Sequence, residues 1–228
     1  MLSSSIDVER CAEAARYALL RRLAPAIRHD MAGGFQPVTM LATIIEKRLL
    51  TASPDMPTLI KNSGEMRTLA IAATHSNLDL MGWMVVNPKA RVALNKGIQD
   101  VLHLVMTEHS SRGLKFVNQT QGMRTDVALD HVHGAFVAAL LALTDAVAST
   151  ANVLITAAQE GQDMLVTIML ADVGATPDAS TPREEFHIGL AAYRKIDWDD
   201  VQAIADVDGL HIKHEAGSVI LRLPISNA

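Results

Sequence analysis

Apolar residues in the first quarter of the chain recur at steps of three and four, the spacing of a helix buried along one side. The seam consists of Leu20, Leu23, Ile27, Met31, Val38, Leu41 and Ile45. This pattern predicts one long helix from about Asp7 to Leu50. A turn rich in proline and small polar residues follows at 51–57, and a second apolar repeat predicts a helix from Thr58 to about Val86. The two helices form a hairpin.

From Asn87 onwards the pattern becomes mixed. Helices are predicted at 95–112, 127–148 and 199–206, and extended segments at 114–119, 153–157, 164–170, 210–214 and 218–223. The fold class is therefore α+β, a long helical hairpin followed by an α/β sandwich with helices on one face of a largely antiparallel sheet. The predicted domains are 1–86 and 87–228. Because a hairpin cannot cover its own apolar stripe, we expect a homodimer in which two hairpins form a four-helix bundle.

Composition narrows the possible partners. The 228 residues are 49% hydrophobic with a formal net charge of −5, and no basic run interleaves with aromatic residues, so nucleic acid is not an expected partner. Cys11 is the single cysteine, which excludes an intrachain disulfide and a cysteine-based zinc site. The N-terminus carries no export signal, and the most apolar stretch, 132–158, is interrupted by Asp145. We therefore expect a cytoplasmic protein without a membrane span.

His29 is the strongest candidate for chemistry. It lies two positions, about 200° around the helix, from both Ile27 and Met31, so it points away from the seam. Asp30 follows directly, and a carboxylate beside an imidazole can orient and activate the ring. A solvated surface residue is the usual interpretation of a lone histidine. The adjacent acid and the Gly33-Gly34 pair that follows favour a functional one.

The residues around His29 leave room for a partner to approach. Ala32 and Gly33 are small, and Gln36 shares their outward face. Each glycine inside a helix costs about 1 kcal/mol relative to alanine, so the pair requires a reason. Arg28 could meet acidic groups of a partner, although an ordinary solvated charge is equally consistent. The candidate partner-binding residues are Arg28, Ala32, Gly33 and Gln36.

A helical hairpin with a His-Asp pair in its first helix, followed by a sandwich of this order, resembles the two-domain core of bacterial histidine kinases. The resemblance covers nearly the whole chain and points to histidine phosphotransferases of the ChpT type. It implies that His29 accepts phosphate, that Asp30 orients and activates it, and that the partners are response-regulator receiver domains of a two-component system.

The sandwich departs from the kinase pattern. The segment 136–146 matches the magnesium-binding helix, but the two asparagine positions hold Leu141 and Asp145. The segment 172–176 stands at the adenine-contacting box of the kinase pattern, and it keeps the acid and the first glycine of that box but not the second glycine. The acidic segment 197–200 stands where the kinase pattern has the glycines of its nucleotide lid. We therefore expect no nucleotide cofactor and no metal in this chain, with magnesium supplied by the receiver.

Three functions remain open. The first is a histidine phosphotransferase of a phosphorelay, which shuttles phosphate between receiver aspartates through His29. The second is a non-catalytic adaptor that binds a receiver or a kinase, and the third is an ATP-dependent histidine kinase with an atypical site. The remaining histidines, His109 among them, show no spacing that fits a metal ion and no partner that suggests chemistry.

Overall fold

The computed structural model describes residues 2–85, 87–147, 150–171 and 195–225. The chain forms two compact units, one of Ala24–Val86 and the other of Met1–Leu23 together with Asn87–Ala228. The residues before Ala24 thus group with the sandwich in this division. The domains 1–86 and 87–228 stay a prediction.

The two long helices and the turn between them are confirmed. Helix α1 spans Leu2–Leu49, and helix α2 spans Met56–Met81 and leads into a short 3-10 turn at Gly82–Met84. The Asp55 carboxylate caps α2 by accepting hydrogen bonds from the backbone N–H and the hydroxyl of Thr58, at 3.3 and 2.6 Å. Such a cap satisfies a donor that the first helical turn leaves without a backbone partner.

The hairpin unit buries part of the predicted seam. Ile27 and Leu41 of α1 are buried, as are Leu59 and Ala73 of α2. A Cβ atom added at Gly34 would lie 3.5 Å from the Cβ of Ala73, which is ordinary van der Waals contact, so position 34 faces α2 and leaves no room for a side chain much larger than that of alanine.

The sandwich unit contains a five-stranded sheet and a small two-stranded one. The strands are β1 Arg91–Ala93, β2 Leu114–Asn118, β3 Asp126–Ala128, β4 Ala151–Glu160, β5 Asp163–Ala171, β6 His211–Glu215 and β7 Ser218–Pro224. The large sheet has the order β2-β4-β5-β7-β6, and every neighbouring pair is antiparallel except β2 with β4. The predicted α+β class with a largely antiparallel sheet is confirmed. The pairing of β1 with β3 was not predicted.

The helices of this unit are α3 Leu94–Ser111, α4 Leu129–His131, α5 Val137–Asp145 and α6 Trp198–Asp208. Between α4 and α5 the backbone makes a π turn at Val132–Phe136. The predicted single helix over 127–148 is therefore shorter and interrupted. A single i→i+5 turn leaves no clear trace in the apolar periodicity of a sequence.

Alternate residues of the central strands form the core. Val153 of β4, Val166 of β5 and Leu221 of β7 are fully buried, whereas Met169 and Ile220 on the opposite face are exposed. Helix α5 is buried along its length from Val137 to Thr144, as expected for a helix that lies inside the helical layer. One face of the sheet is thus covered, which is the arrangement predicted from the sequence.

The first part of α1 belongs to this unit. Five apolar side chains on one side of the helix are buried: Ala12, Ala15, Ala18, Leu19 and Leu23. Alanine side chains allow a helix to pack closely against its neighbours. Residues 2–23 are therefore an additional helical element of the sandwich unit.

Candidate functional site

His29 lies in the interior of α1 with its side chain in the open. The side chain is 76% exposed, whereas Ile27, two residues earlier, is 5% exposed. The outward orientation predicted from the apolar spacing is confirmed. His29 is therefore accessible to a partner and is positioned by a rigid helix. An acceptor in a group-transfer reaction requires both properties.

Asp30 provides the neighbouring acid. Its Oδ1 atom lies 3.7 Å from Nδ1 of His29, and its side chain is 26% exposed. This separation is that of an ion pair and slightly longer than a hydrogen bond. A small side-chain rotation would allow Nδ1–H to donate to the carboxylate, which would leave the lone pair of Nε2 facing outward.

The candidate partner-binding residues surround His29 on the accessible surface. Arg28, Ala32, Gly33 and Gln36 are all exposed. A Cβ atom at Gly33 would have no neighbour within 4 Å, so this position has free space one turn beyond the histidine. The two glycines therefore differ. A Cβ atom at position 34 would contact Ala73 of α2, whereas a Cβ atom at position 33 would have no such neighbour.

Positions 141 and 145, where the resemblance implies magnesium-binding asparagines, do not fit a divalent cation. Leu141 is 1% exposed and offers no ligand atom. Asp145 instead pairs with two guanidinium groups, those of Arg112 and Arg22. Among the described residues, no group of three or more His, Cys, Asp or Glu side chains could hold a metal ion.

The acidic segment before α6 has a local structural role. The Asp197 carboxylate accepts from the backbone N–H of Asp200 at 3.0 Å, and the Asp200 carboxylate accepts from that of Asp197 at 3.2 Å. This reciprocal pair is a capping box that starts α6.

The segment 172–176, compared above with the adenine-contacting box of the kinase pattern, lies outside the described residues.

His109 was not selected from the sequence, yet it is fully buried. Its Nδ1 atom lies 2.9 Å from the carbonyl oxygen of Val105, and its Nε2 atom lies 3.0 Å from the hydroxyl of Thr144. Its ring meets that of Phe116 edge to face at 5.4 Å. These contacts join the C-terminal ends of α3 and α5 and indicate a structural histidine. The sequence gives no local signal for a pair 35 residues apart.

Two further histidines lie at the π turn. Burial lowers the pKa of His133 to about 4, although the carboxylates of Asp100 and Asp130 act in the opposite direction. Burial also lowers the pKa of His131, against the charge of Asp208. Both pKa shifts favour neutral rings inside the unit.

No described helix is both long enough and apolar enough to cross a membrane.

No protein-family model and no curated protein matches the sequence. Solved structures similar to this chain include a histidine kinase from Burkholderia phymatum STM815, which is 13% identical, with 90% of this chain and 99% of that chain covered and a TM-score of 0.45. A bacterial phosphotransferase is 12% identical over 90% of this chain and 95% of its own, with a TM-score of 0.38. The histidine kinase ThkA, solved in complex with the response regulator protein TrrA, is 14% identical over 97% of this chain and 66% of its own, with a TM-score of 0.42.

Proposed function

We propose that this protein is a histidine phosphotransferase that passes phosphate between the aspartates of response-regulator receiver domains through His29. The observation that carries the proposal is the accessible imidazole of His29 in the interior of a long helix, with a carboxylate oxygen 3.7 Å from its Nδ1 atom. An accessible nucleophile with an orienting acid is what a transfer between two proteins needs from the intermediate carrier.

In the forward step Nε2 of neutral His29 attacks the phosphoryl group on the receiver aspartate. The new N–P bond forms as the bond between phosphorus and the carboxylate oxygen breaks, and the aspartate leaves as a carboxylate. The ring acquires positive character during the step, and the Asp30 carboxylate near Nδ1 stabilises it. The reverse step on a second receiver returns His29 to its neutral form.

The remaining charge stabilisation would come from the receiver, which brings its own magnesium ion and a cationic side chain. This chain then supplies a nucleophile and a fixed geometry, the two contributions that phosphoryl transfer requires from an acceptor. The side chains at positions 141 and 145 support this division of roles, because neither is arranged to hold magnesium.

The docking surface would consist of the exposed residues beside His29. Gly33 leaves space for the backbone of a partner one turn away, and Gln36 lies a further turn along the same face. Arg28 is exposed and cationic, which suits the acidic residues that surround a phosphorylated aspartate and its magnesium ion.

The proposal includes a homodimer. Helix α2 carries a row of exposed apolar residues, Ile60 at 69%, Ile71 at 52% and Leu78 at 60%. The spacing of eleven and seven residues puts all three on one side of the helix. An exposed apolar row on an isolated hairpin favours association with a second hairpin.

Transfer from a phosphorylated receiver tests the proposal. Receiver domains from the same organism are labelled with acetyl phosphate, freed of excess reagent and mixed with the purified protein, beside a reaction with ATP and magnesium alone. We expect label to move onto the unmodified protein and not onto His29→Ala. The matched control is His75→Ala, which removes the other histidine of the hairpin unit, an exposed side chain on α2.

Three results would overturn the proposal. Failure of every receiver to transfer phosphate would favour the adaptor function, and labelling by ATP alone would favour the kinase. Uptake of label by the His29→Ala variant would show that phosphate enters elsewhere.

A further inference from the structure

Asp145, the last residue of α5, lies at the centre of a buried charge cluster. Its side chain is 8% exposed. Its Oδ1 atom lies 2.8 Å from Nη1 of Arg112 and 3.4 Å from Nη2 of Arg22. Both guanidinium groups therefore bind one oxygen of the carboxylate, and the other oxygen, Oδ2, is buried without a hydrogen-bond partner among the described residues. A buried carboxylate needs such cations because its desolvation is costly.

The two arginines come from different parts of the chain. Arg112 follows α3 and also donates from Nη2 to the carbonyl oxygen of Thr144 at 2.7 Å, so it binds both the end of α5 and its terminal carboxylate. A cation in this place suits the negative end of the helix dipole. Arg22 comes from α1, and its side chain is 5% exposed.

A second ion pair links the same part of α1 to the sandwich unit. Nη2 of Arg16 lies 2.5 Å from Oδ1 of Asp208, the last residue of α6, and the Asp208 side chain is 12% exposed. Residues 16 and 22 thus bind the C-terminal ends of two different helices. Ala18 and Leu19, which lie between the two arginines along α1, are also buried.

These contacts explain why position 145 does not fit magnesium. The ion would have to displace guanidinium groups that already balance the carboxylate, and Leu141, one turn earlier, supplies no oxygen. Magnesium needs a near-octahedral shell of oxygen ligands, which one carboxylate beside two cations cannot begin to provide.

We propose that Arg22 and Arg112 take the place of a cation at Asp145, and that this end of α5 is an anchor for residues 2–23 of α1. The role differs from phosphate transfer, because it requires no nucleotide, receiver or phosphate. The first part of α1 stays on the sandwich through a buried ion pair in addition to its apolar contacts. Loss of the ion pair should therefore loosen this segment first, while the sheet keeps its stability.

Hydrogen exchange of the intact protein, followed by mass spectrometry, tests the anchor. Arg22→Met removes the charge and keeps an apolar stem of similar length. We expect peptides from residues 8–23 to exchange at least tenfold faster in this variant, while peptides from β4 and β5 are unchanged. The matched control is Arg10→Met, which removes an exposed guanidinium from the same segment of α1 and should leave exchange within twofold of the unmodified protein.

Asp145→Asn provides an independent route to the same result. The amide keeps the shape of the carboxylate and loses its charge, so exchange in residues 8–23 should again increase. The double variant Arg22→Met/Asp145→Asn should exchange more slowly than the product of the two single effects predicts, because the two changes share the ion pair between Arg22 and Asp145.

Three outcomes would overturn the inference. Unchanged exchange of residues 8–23 in Arg22→Met would show that the ion pair does not hold the segment. Equal acceleration in β4 and β5 would indicate a general loss of stability without an anchor. Protection of the 137–147 peptide by millimolar magnesium chloride in the unmodified protein would show that Asp145 binds the metal ion. None of these measurements involves phosphate, so their outcome is separate from that of the transfer assay.

Discussion

At the scale of single residues, the chemistry proposed for His29 depends on the atom that faces each ring nitrogen. Asp30 lies on the Nδ1 side at 3.7 Å, so the opposite nitrogen is the one available to an incoming phosphoryl group. The acid also stabilises the positive charge that the ring develops as the N–P bond forms.

Asp30→Asn tests this assignment. The amide can still accept a hydrogen bond from Nδ1, but it no longer stabilises a charged ring, so transfer should slow by about 10- to 100-fold without being abolished. The rate of label transfer from a phosphorylated receiver measures the effect. Glu46→Gln, an exposed acid later in α1, is the control and should transfer at the unmodified rate. An equal rate for Asp30→Asn would exclude an electrostatic role for Asp30.

His133 predicts how stability depends on pH. Burial lowers its pKa in the folded protein to about 4, below the value of about 6.5 in an unfolded chain. The unfolded chain therefore takes up the proton first, and stability is complete above pH 6.5 and is lost as the pH falls from 6.5 towards 4. The loss at this residue is up to about 3 kcal/mol.

Urea unfolding at pH 7.5, 5.5 and 4.5 measures this effect. The free energy of unfolding should fall more steeply with acid in the unmodified protein than in His133→Gln, which has no group that titrates in this range. Parallel pH profiles for the two proteins would contradict the assignment. The Asp55 cap does not affect this comparison, because its hydrogen bonds to Thr58 lower a carboxyl pKa that is ordinarily 3.8, so this contribution is lost only at lower pH.

At the scale of elements, the two adjacent glycines of α1 have opposite roles. The space around Gly33 is open, whereas Gly34 contacts Ala73 of α2. Gly33→Leu should therefore raise the stability of the helix by about 0.5–1 kcal/mol. The same side chain would obstruct a receiver that docks beside His29, so transfer should slow while stability rises.

Gly64→Leu is the matched control for this prediction. Position 64 of α2 also has open space around it, so the substitution should stabilise the hairpin. Because position 64 lies one turn from Ile60, light scattering first confirms that the variant has the mass of the unmodified protein, and its transfer should then be unchanged. Thermal unfolding and the transfer assay are measured on both variants. Normal transfer by Gly33→Leu would remove Gly33 from the docking surface. Gly34→Leu should instead destabilise the hairpin by about 1–3 kcal/mol, because the added side chain would push against α2.

At the scale of the whole molecule, the proposed dimer depends on the exposed row of α2 and not on the seam of α1. Ile27 and Leu41 of that seam are already buried within one chain, so a charge at Leu41 would unfold the hairpin before it reported on association. Ile71 and Leu78 are exposed in the single chain and are the better positions for a test.

We expect Ile71→Glu/Leu78→Glu to be a folded monomer, because the charges lie where a second hairpin would pack and not in the core of the first. Light scattering coupled to gel filtration gives the mass, and circular dichroism confirms the fold. Val117→Glu, which places a charge at an exposed apolar position of the sheet, is the control and should remain dimeric. A monomeric unmodified protein would contradict the dimer directly.

Features that depend on neighbours along the chain could be predicted without knowledge of the fold. The spacing of Leu23, Ile27 and Leu41 predicted both the long helix and the outward direction of His29, because a helix returns to the same face every three or four residues. The apolar and β-branched runs at 153–157 and 164–170, with turn residues at 160–163 between them, predicted the strands β4 and β5. Asp30 is adjacent to His29 in the sequence, and Gly33 follows one helical turn later. Their places beside His29 therefore follow from the same helical geometry.

The tertiary structure alone decided which distant residues meet. Arg22 and Asp145 are 123 residues apart, and Arg16 and Asp208 are 192 apart, so no periodicity in the chain connects them. In sequence, Arg22 is one of several arginines on a long helix, and Asp145 is an acid that interrupts an apolar stretch. Because a buried charge is stable only beside an opposite one, their pairing depends on how α1, α3 and α5 pack. That packing groups the first 23 residues with the sandwich and pairs the carboxylate of Asp145 with two guanidinium groups.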